Sequence, residues 1–181
     1  MSVVSLDSYT QLLTRSELLS AEQVDERLRR FRDSASSDGD GSSSENGDDR
    51  SDDVQAFAEY LVREQIVTPW QNSHLMRGRF KGLKFGKFRV LRLLGTGGMG
   101  RVFLAEDEML RRKVALKVLP RSKTRNERSV QRFHQEARAL AKLDHPNIVR
   151  VHDVDRRDQT HYIVMEYVPG IDLSKHIAAS G

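Results

Sequence analysis

Cysteine is absent from all 181 residues, which excludes disulfides and thiolate metal sites and is the usage expected in a reducing cytoplasm. No apolar run approaches 18 residues. The opening Met1-Ser2-Val3-Val4-Ser5-Leu6-Asp7 has neither a basic start nor a long apolar stretch, so neither a membrane span nor a signal peptide is visible and a cytoplasmic location is expected. The six histidines show no ligand spacing with one another, and no metal site is expected from this chain's own residues.

Charge is unevenly spread. The formal net charge is +4; residues 1–32 carry five acids and five bases, 33–53 carry eight acids against Arg50, and 54–77 carry two of each. Residues 78–181 then hold 22 basic and 11 acidic side chains. These bases are scattered over segments such as Arg121 to Arg128 and Arg111-Arg112-Lys113, not interleaved with aromatics, so nucleic acid is not an expected partner. Solubility and attraction of phosphate account for them.

The stretch 33–53 is rich in Ser, Gly and Asp and almost free of apolar side chains, so it cannot bury enough surface to offset the entropy of ordering and is expected to be a disordered linker. A repeat flanks it. Tyr9, Leu13, Arg15, Leu18, Leu19, Ser20, Gln23, Leu28 and Arg29 recur 48 residues later as Phe57, Leu61, Arg63, Ile66, Val67, Thr68, Gln71, Met76 and Arg77. Each copy reads as a helical hairpin, over 1–32 and 54–77. Ser20-x-x-Gln23 and Thr68-x-x-Gln71 are capping boxes, and Pro69 takes the favoured first helical position. The two hairpins can pack with Tyr9, Leu13, Phe57 and Leu61 in the seam. Such a unit suits self-association or recruitment of a partner, or merely covers apolar surface. The neutral charge of both copies argues against a DNA-binding role.

The most informative feature is Gly95-Thr96-Gly97-Gly98-Met99-Gly100-Arg101-Val102, followed by Val114-Ala115-Leu116-Lys117. Glycines at G-x-G-x-x-G spacing let backbone lie almost in contact with a polyphosphate. A dinucleotide-binding turn would open a helix and place an acid about 20 residues on. Here Arg101 to Ala105 alternates as a strand, and the matching position carries Lys117 in another β-branched run. Val130, Phe133, Ala137, Leu140 and Ala141 recur at helical spacing and predict a helix over about 129–143 that contains Glu136. Leu143-Asp144-His145-Pro146-Asn147-Ile148-Val149 ends that helix before a proline. Tyr162 to Glu166 reads as a buried strand entering a linker broken by Pro169 and Gly170.

In order and spacing, these signals resemble the amino-terminal lobe of bacterial eukaryotic-like serine/threonine protein kinases, over about 88–181. The resemblance implies an α+β fold: a five-stranded antiparallel sheet near 88–94, 101–107, 112–119, 148–155 and 160–166, plus one helix, preceded by the small helical hairpins. It implies ATP as the ligand. Lys117 would orient the phosphates, Glu136 would orient Lys117, and the loop of Gly95, Thr96, Gly97, Gly98, Met99 and Gly100 would cover them. Val102 and Ala115 would sandwich the adenine, Met165 would be the gatekeeper, Glu166 and Val168 would meet the adenine edge through backbone groups, and Asp172 would meet the ribose. Mg2+ belongs to the family's chemistry, but no His-Arg-Asp, Asp-Phe-Gly or Ala-Pro-Glu occurs in these 181 residues. The general base and the metal ligands are therefore missing from this chain. It is expected to bind ATP weakly and to transfer no phosphate alone, the protein substrate being met by the complete family member. The alternative is a noncatalytic nucleotide-binding or interaction module.

Overall fold

The computed structural model of the chain describes residues 4–37, 49–98, 100–171 and 173–180. They form two compact units, Met1–Leu93 with Glu106–Leu110 and Leu94–Ala105 with Arg111–Gly181.

The first unit opens with four helices: α1 (Leu6–Arg15), α2 (Ala21–Ser37), α3 (Asp49–Arg63) and α4 (Pro69–Leu75). The seam lies where the repeat places it, with Tyr9, Leu13, Phe57 and Leu61 all at 0 % exposure. The Tyr9 and Phe57 rings meet edge to face at 6.3 Å, and Phe31 of α2 packs on Phe57 and Tyr60 at 5.4 and 5.5 Å. The two copies also share backbone chemistry. Ser16 N–H donates to Leu12 and Glu64 N–H to Tyr60, both at 2.9 Å, and the next residue, Glu17 or Gln65, turns left-handed at φ 60° or 57°. Both capping boxes form: Ser20 and Thr68 N–H each donate to the glutamine Oε1 at 2.8 Å, and Gln23 and Gln71 N–H donate back to the hydroxyls.

The helices overrun the expected linker. Helix α2 continues to Ser37 and α3 begins at Asp49, since apolar patterning is not needed in a terminal turn. The rest of that segment, 38–48, lies outside the described residues.

The copies differ in what they hold. Thr68 Oγ1 and Gln71 Nε2 donate to the carbonyls of Leu91 and Val90, each at 2.7 Å, and Arg89 donates to the Ile66 carbonyl. Gln71 is completely buried; its equivalent Gln23 is exposed. Replacing Gln71 by alanine strips partners from a buried carbonyl and from the Thr68 amide, and is expected to cost about 1–3 kcal/mol. Gln23→Ala is expected to cost less than about 1 kcal/mol. Thermal unfolding of the two variants checks the ranking.

One six-stranded sheet runs through the chain, in the order β1-β2-β3-β4-β6-β5: β1 (Lys84–Phe85), β2 (Phe88–Gly97), β3 (Gly100–Asp107), β4 (Arg112–Val118), β5 (Val151–Arg157) and β6 (Thr160–Glu166). The expected five strands are thus corrected to six. The extra one, β1, is two residues long and shows no periodicity; it pairs antiparallel with β2 through Lys84↔Arg89 and Phe85↔Phe88, across a turn in which Gly86 takes a positive φ of 57°. Strands β4 and β5 both pair antiparallel with β6.

Three helices complete the second unit: α5 (Arg121–Thr124), α6 (Glu127–Leu140) and α7 (Leu173–Ser180). Helix α6 starts two residues earlier than expected because the Asn126 side chain caps it, accepting from Ser129 N–H. Its buried face, Phe133 and Ala137, packs on Leu119 and Ile163, with Val130, Val151, Val154 and Met165 around them. Helices α5 and α7 were not expected. The first is a single turn in a segment read as a polar loop, and the second follows a proline and glycine that read as linker.

Candidate functional site

The strands enter the glycine motif more deeply than the sequence suggests. Strand β2 continues through Gly97 and β3 begins at Gly100, so the motif is the tip of a hairpin. Its glycines serve different ends. A β-carbon on Gly95, Gly97 or Gly98 would meet nothing within 4 Å, whereas one on Gly100 would stand 2.4 Å from the Val118 carbonyl oxygen. Gly100 is therefore required by the close approach of its own backbone to β4, while the other three leave open space in which only a ligand would make a side chain costly. Thr96 is exposed at this tip. Met99 lies outside the described residues.

Register places the charged pair. Ala115 stands opposite Met165 and Lys117 opposite Ile163, and successive even steps share a face of the sheet, so Ala115, Lys117 and Met165 lie on one side. The Lys117 ammonium donates to Glu136 Oε1 from helix α6. Both side chains are largely covered, at 18 % and 28 % exposure. The other carboxylate oxygen, Glu136 Oε2, is buried with no hydrogen-bond partner, so the carboxylate keeps acceptor capacity directed into the protein. An ammonium held by one carboxylate oxygen retains two further N–H donors, which is the capacity needed to meet phosphate oxygens.

Around this pair, Ala115 is buried and Val102 and Met165 are partly covered, giving small apolar surface beside the charge. Glu166 N–H donates to the Arg150 carbonyl at 2.9 Å, and its carboxylate accepts from Arg150 N–H at 3.3 Å. Its side chain thus has a structural task at the start of β5 that the sequence did not reveal. Val168 follows in extended chain at 63 % exposure. Asp172 lies outside the described residues. Among the described residues no group of three or more His, Cys, Asp or Glu side chains could hold a metal ion, and no helix is long and apolar enough to cross a membrane.

Sequence reading missed one contributor. The Lys123 ammonium of α5 donates to the Gly98 carbonyl, tying the hairpin tip to the helix beside it. A lysine in a basic loop carries no periodic signal, and this one was grouped with solvated charge.

The profile of the protein kinase domain family matches residues 88–181. Two similar curated proteins are serine/threonine-protein kinases: PrkC of Bacillus subtilis is 45% identical over 96 residues, spanning 53% of this chain and 15% of PrkC. Pkn1 of Myxococcus xanthus is 44% identical over 93 residues, 51% of this chain and 13% of its own. The chain thus spans less than a fifth of the length of either relative. Among solved structures, the Mycobacterium tuberculosis PknI kinase domain aligns at 37% identity and TM-score 0.46, covering 54% of this chain and 40% of that one. With the glycine hairpin, the lysine strand and the glutamate helix falling inside the matched stretch, which is more than half of its residues, this chain belongs to the protein kinase domain family.

Proposed function

We propose that the matched region binds ATP beneath the Gly95–Gly100 hairpin tip, and that it serves the serine/threonine protein kinase reaction of its curated relatives. The observation that carries this reading is the contact between Lys117 and Glu136, because only a lysine already fixed by a carboxylate presents its remaining donors in a set direction. The open space beside Gly95, Gly97 and Gly98 suits phosphates held by backbone. Ala115, Val102 and Met165 suit the flat adenine, with the backbone of Glu166 and Val168 at its edge and Asp172 at the ribose. ATP supplies the γ-phosphoryl group. The residues named here bind and orient it.

Lys117→Met removes a charge-assisted contact worth about 1.5–3 kcal/mol, so affinity for a fluorescent ATP analogue is expected to fall about tenfold or more. Glu136→Gln keeps the shape and loses the charge, and is expected to weaken binding less. Unchanged affinity in Lys117→Met would overturn the reading. Radiolabel transfer from ATP to a generic basic protein by residues 1–181 is expected to be undetectable.

For the helical repeats we propose self-association or recruitment of a partner. Light scattering across a concentration series of the full chain tests the first of these.

A further inference from the structure

Helix α6 is held to the sheet at a second point, two residues from Glu136. His134 Nε2 of α6 lies 3.0 Å from His161 Nδ1 of β6, and the rings meet nearly perpendicular, with centroids 5.0 Å apart. The two histidines are 27 residues apart in sequence, and the bond sits beside the buried contact of Phe133 and Ala137 with Leu119 and Ile163. The His161 carbonyl also accepts from Leu119 N–H at 2.9 Å, which fixes the strand side of the contact. A hydrogen bond between two imidazoles needs one N–H donor and one bare nitrogen. It exists with both rings neutral or with one charged, and it cannot exist with both charged.

We infer that His134 and His161 are a positioning pair: they hold α6 so that Glu136 reaches Lys117, and they release the helix when both rings carry a proton. The consequence for nucleotide rests on the reading of Lys117 and Glu136 given above; the movement of the helix does not.

The surroundings set the direction. Burial, the neighbouring His134 and the Arg156 guanidinium together hold the His161 imidazole below its ordinary value. Arg156 stands directly across the strand pair from His161. Helix α5 also packs against β6; its Lys123 is engaged with the Gly98 carbonyl. On α6 the nearest acid is Glu136, which is engaged with Lys117. Strand β5 also carries Asp155, whose carboxylate accepts from the Tyr162 hydroxyl, so it is burial, His134 and Arg156 that favour a neutral His161 ring. Because the attached helix keeps the His161 pKa depressed, its hold is complete above the ordinary imidazole value of about 6.5. It is lost as the pH falls through the lower value of the attached state.

The chain has no cysteine, so two can be introduced cleanly. Spin labels on Ala139→Cys of α6 and Gln159→Cys, both exposed positions, report the helix-to-sheet distance by pulsed electron resonance, without any nucleotide. At pH 8 a single short distance is expected. At pH 5.5 a longer population is expected to grow from under about a tenth to about half of the molecules. In the same labelled chain carrying His134→Gln and His161→Gln, where the amides can still bond but do not titrate, the distance is expected to stay constant across that range. Circular dichroism at each pH confirms that the chain remains folded. A distance unchanged by pH in the parent, or changed equally in the double glutamine variant, would overturn the inference. Failure of ATP-analogue binding at every pH would instead count against the nucleotide reading alone.

Discussion

Gly100→Ala is expected to destabilise the chain by about 1–3 kcal/mol, while Gly97→Ala leaves its melting temperature unchanged. The added β-carbon at Gly100 would stand 2.4 Å from the Val118 carbonyl oxygen, well inside contact distance, and both partners are backbone. Neither can rotate away. Relief requires moving the start of β3 from the end of β4, and overpacking of a rigid site costs about 1–3 kcal/mol and occasionally more. At Gly97 the same carbon meets nothing, so the cost appears only when a ligand occupies the space, as a loss of ATP-analogue affinity. Thermal unfolding with and without the analogue separates the two. Equal melting temperatures for both variants would show that the motif's last glycine is not a packing residue.

Phe57→Ala is expected to cost about 3–5 kcal/mol, the range for truncating a fully buried aromatic side chain. The ring is at 0 % exposure and touches Tyr9, Phe31 and Tyr60 at centroid distances of 6.3, 5.4 and 6.2 Å, so α3 loses contact with α1 and α2 at once. Tyr9→Phe provides the scale. It removes only the hydroxyl that donates to Asn72 Oδ1 at 2.7 Å, leaving a partly buried amide oxygen without its partner, and is expected to cost about 1 kcal/mol. Urea unfolding followed by circular dichroism gives both values. A Phe57→Ala midpoint equal to that of the parent would mean that the seam between the repeats is not a core.

What the sequence revealed and what it concealed divide along physical lines. The strand pattern read over Arg101 to Ala105 and the helical recurrence of Val130, Phe133 and Ala137 are periodic, and periodicity survives in one dimension. The repeat placed Tyr9, Leu13, Phe57 and Leu61 together because two copies of one hairpin must bury the same face. Lys117 and Glu136 were identifiable because each sits in an element of clear type, and the resemblance linked them. By contrast, Lys84–Phe85 is too short to show alternation, and a single turn such as Arg121–Thr124 offers no face to bury. The purpose of Gly100 was hidden because its constraint is a carbonyl on another strand. The His134–His161 contact was hidden for a related reason: neither residue has a pattern of its own, and only the docking of α6 on β6 brings the rings together.

The bonds from Thr68 and Gln71 to the carbonyls of Leu91 and Val90 bear on where this chain can be cut. Family likeness begins at Phe88, and a shortened chain starting there would keep every residue of the nucleotide reading. It would also discard the side chains that satisfy two carbonyls of its first long strand, together with Leu83, whose carbonyl accepts from Val90 N–H. The shortest autonomous piece is therefore expected to begin about 20 residues upstream of the homology, before the helix cap at Thr68. An expression trial beginning at Phe88 is expected to yield aggregated material where one beginning before Thr68 does not.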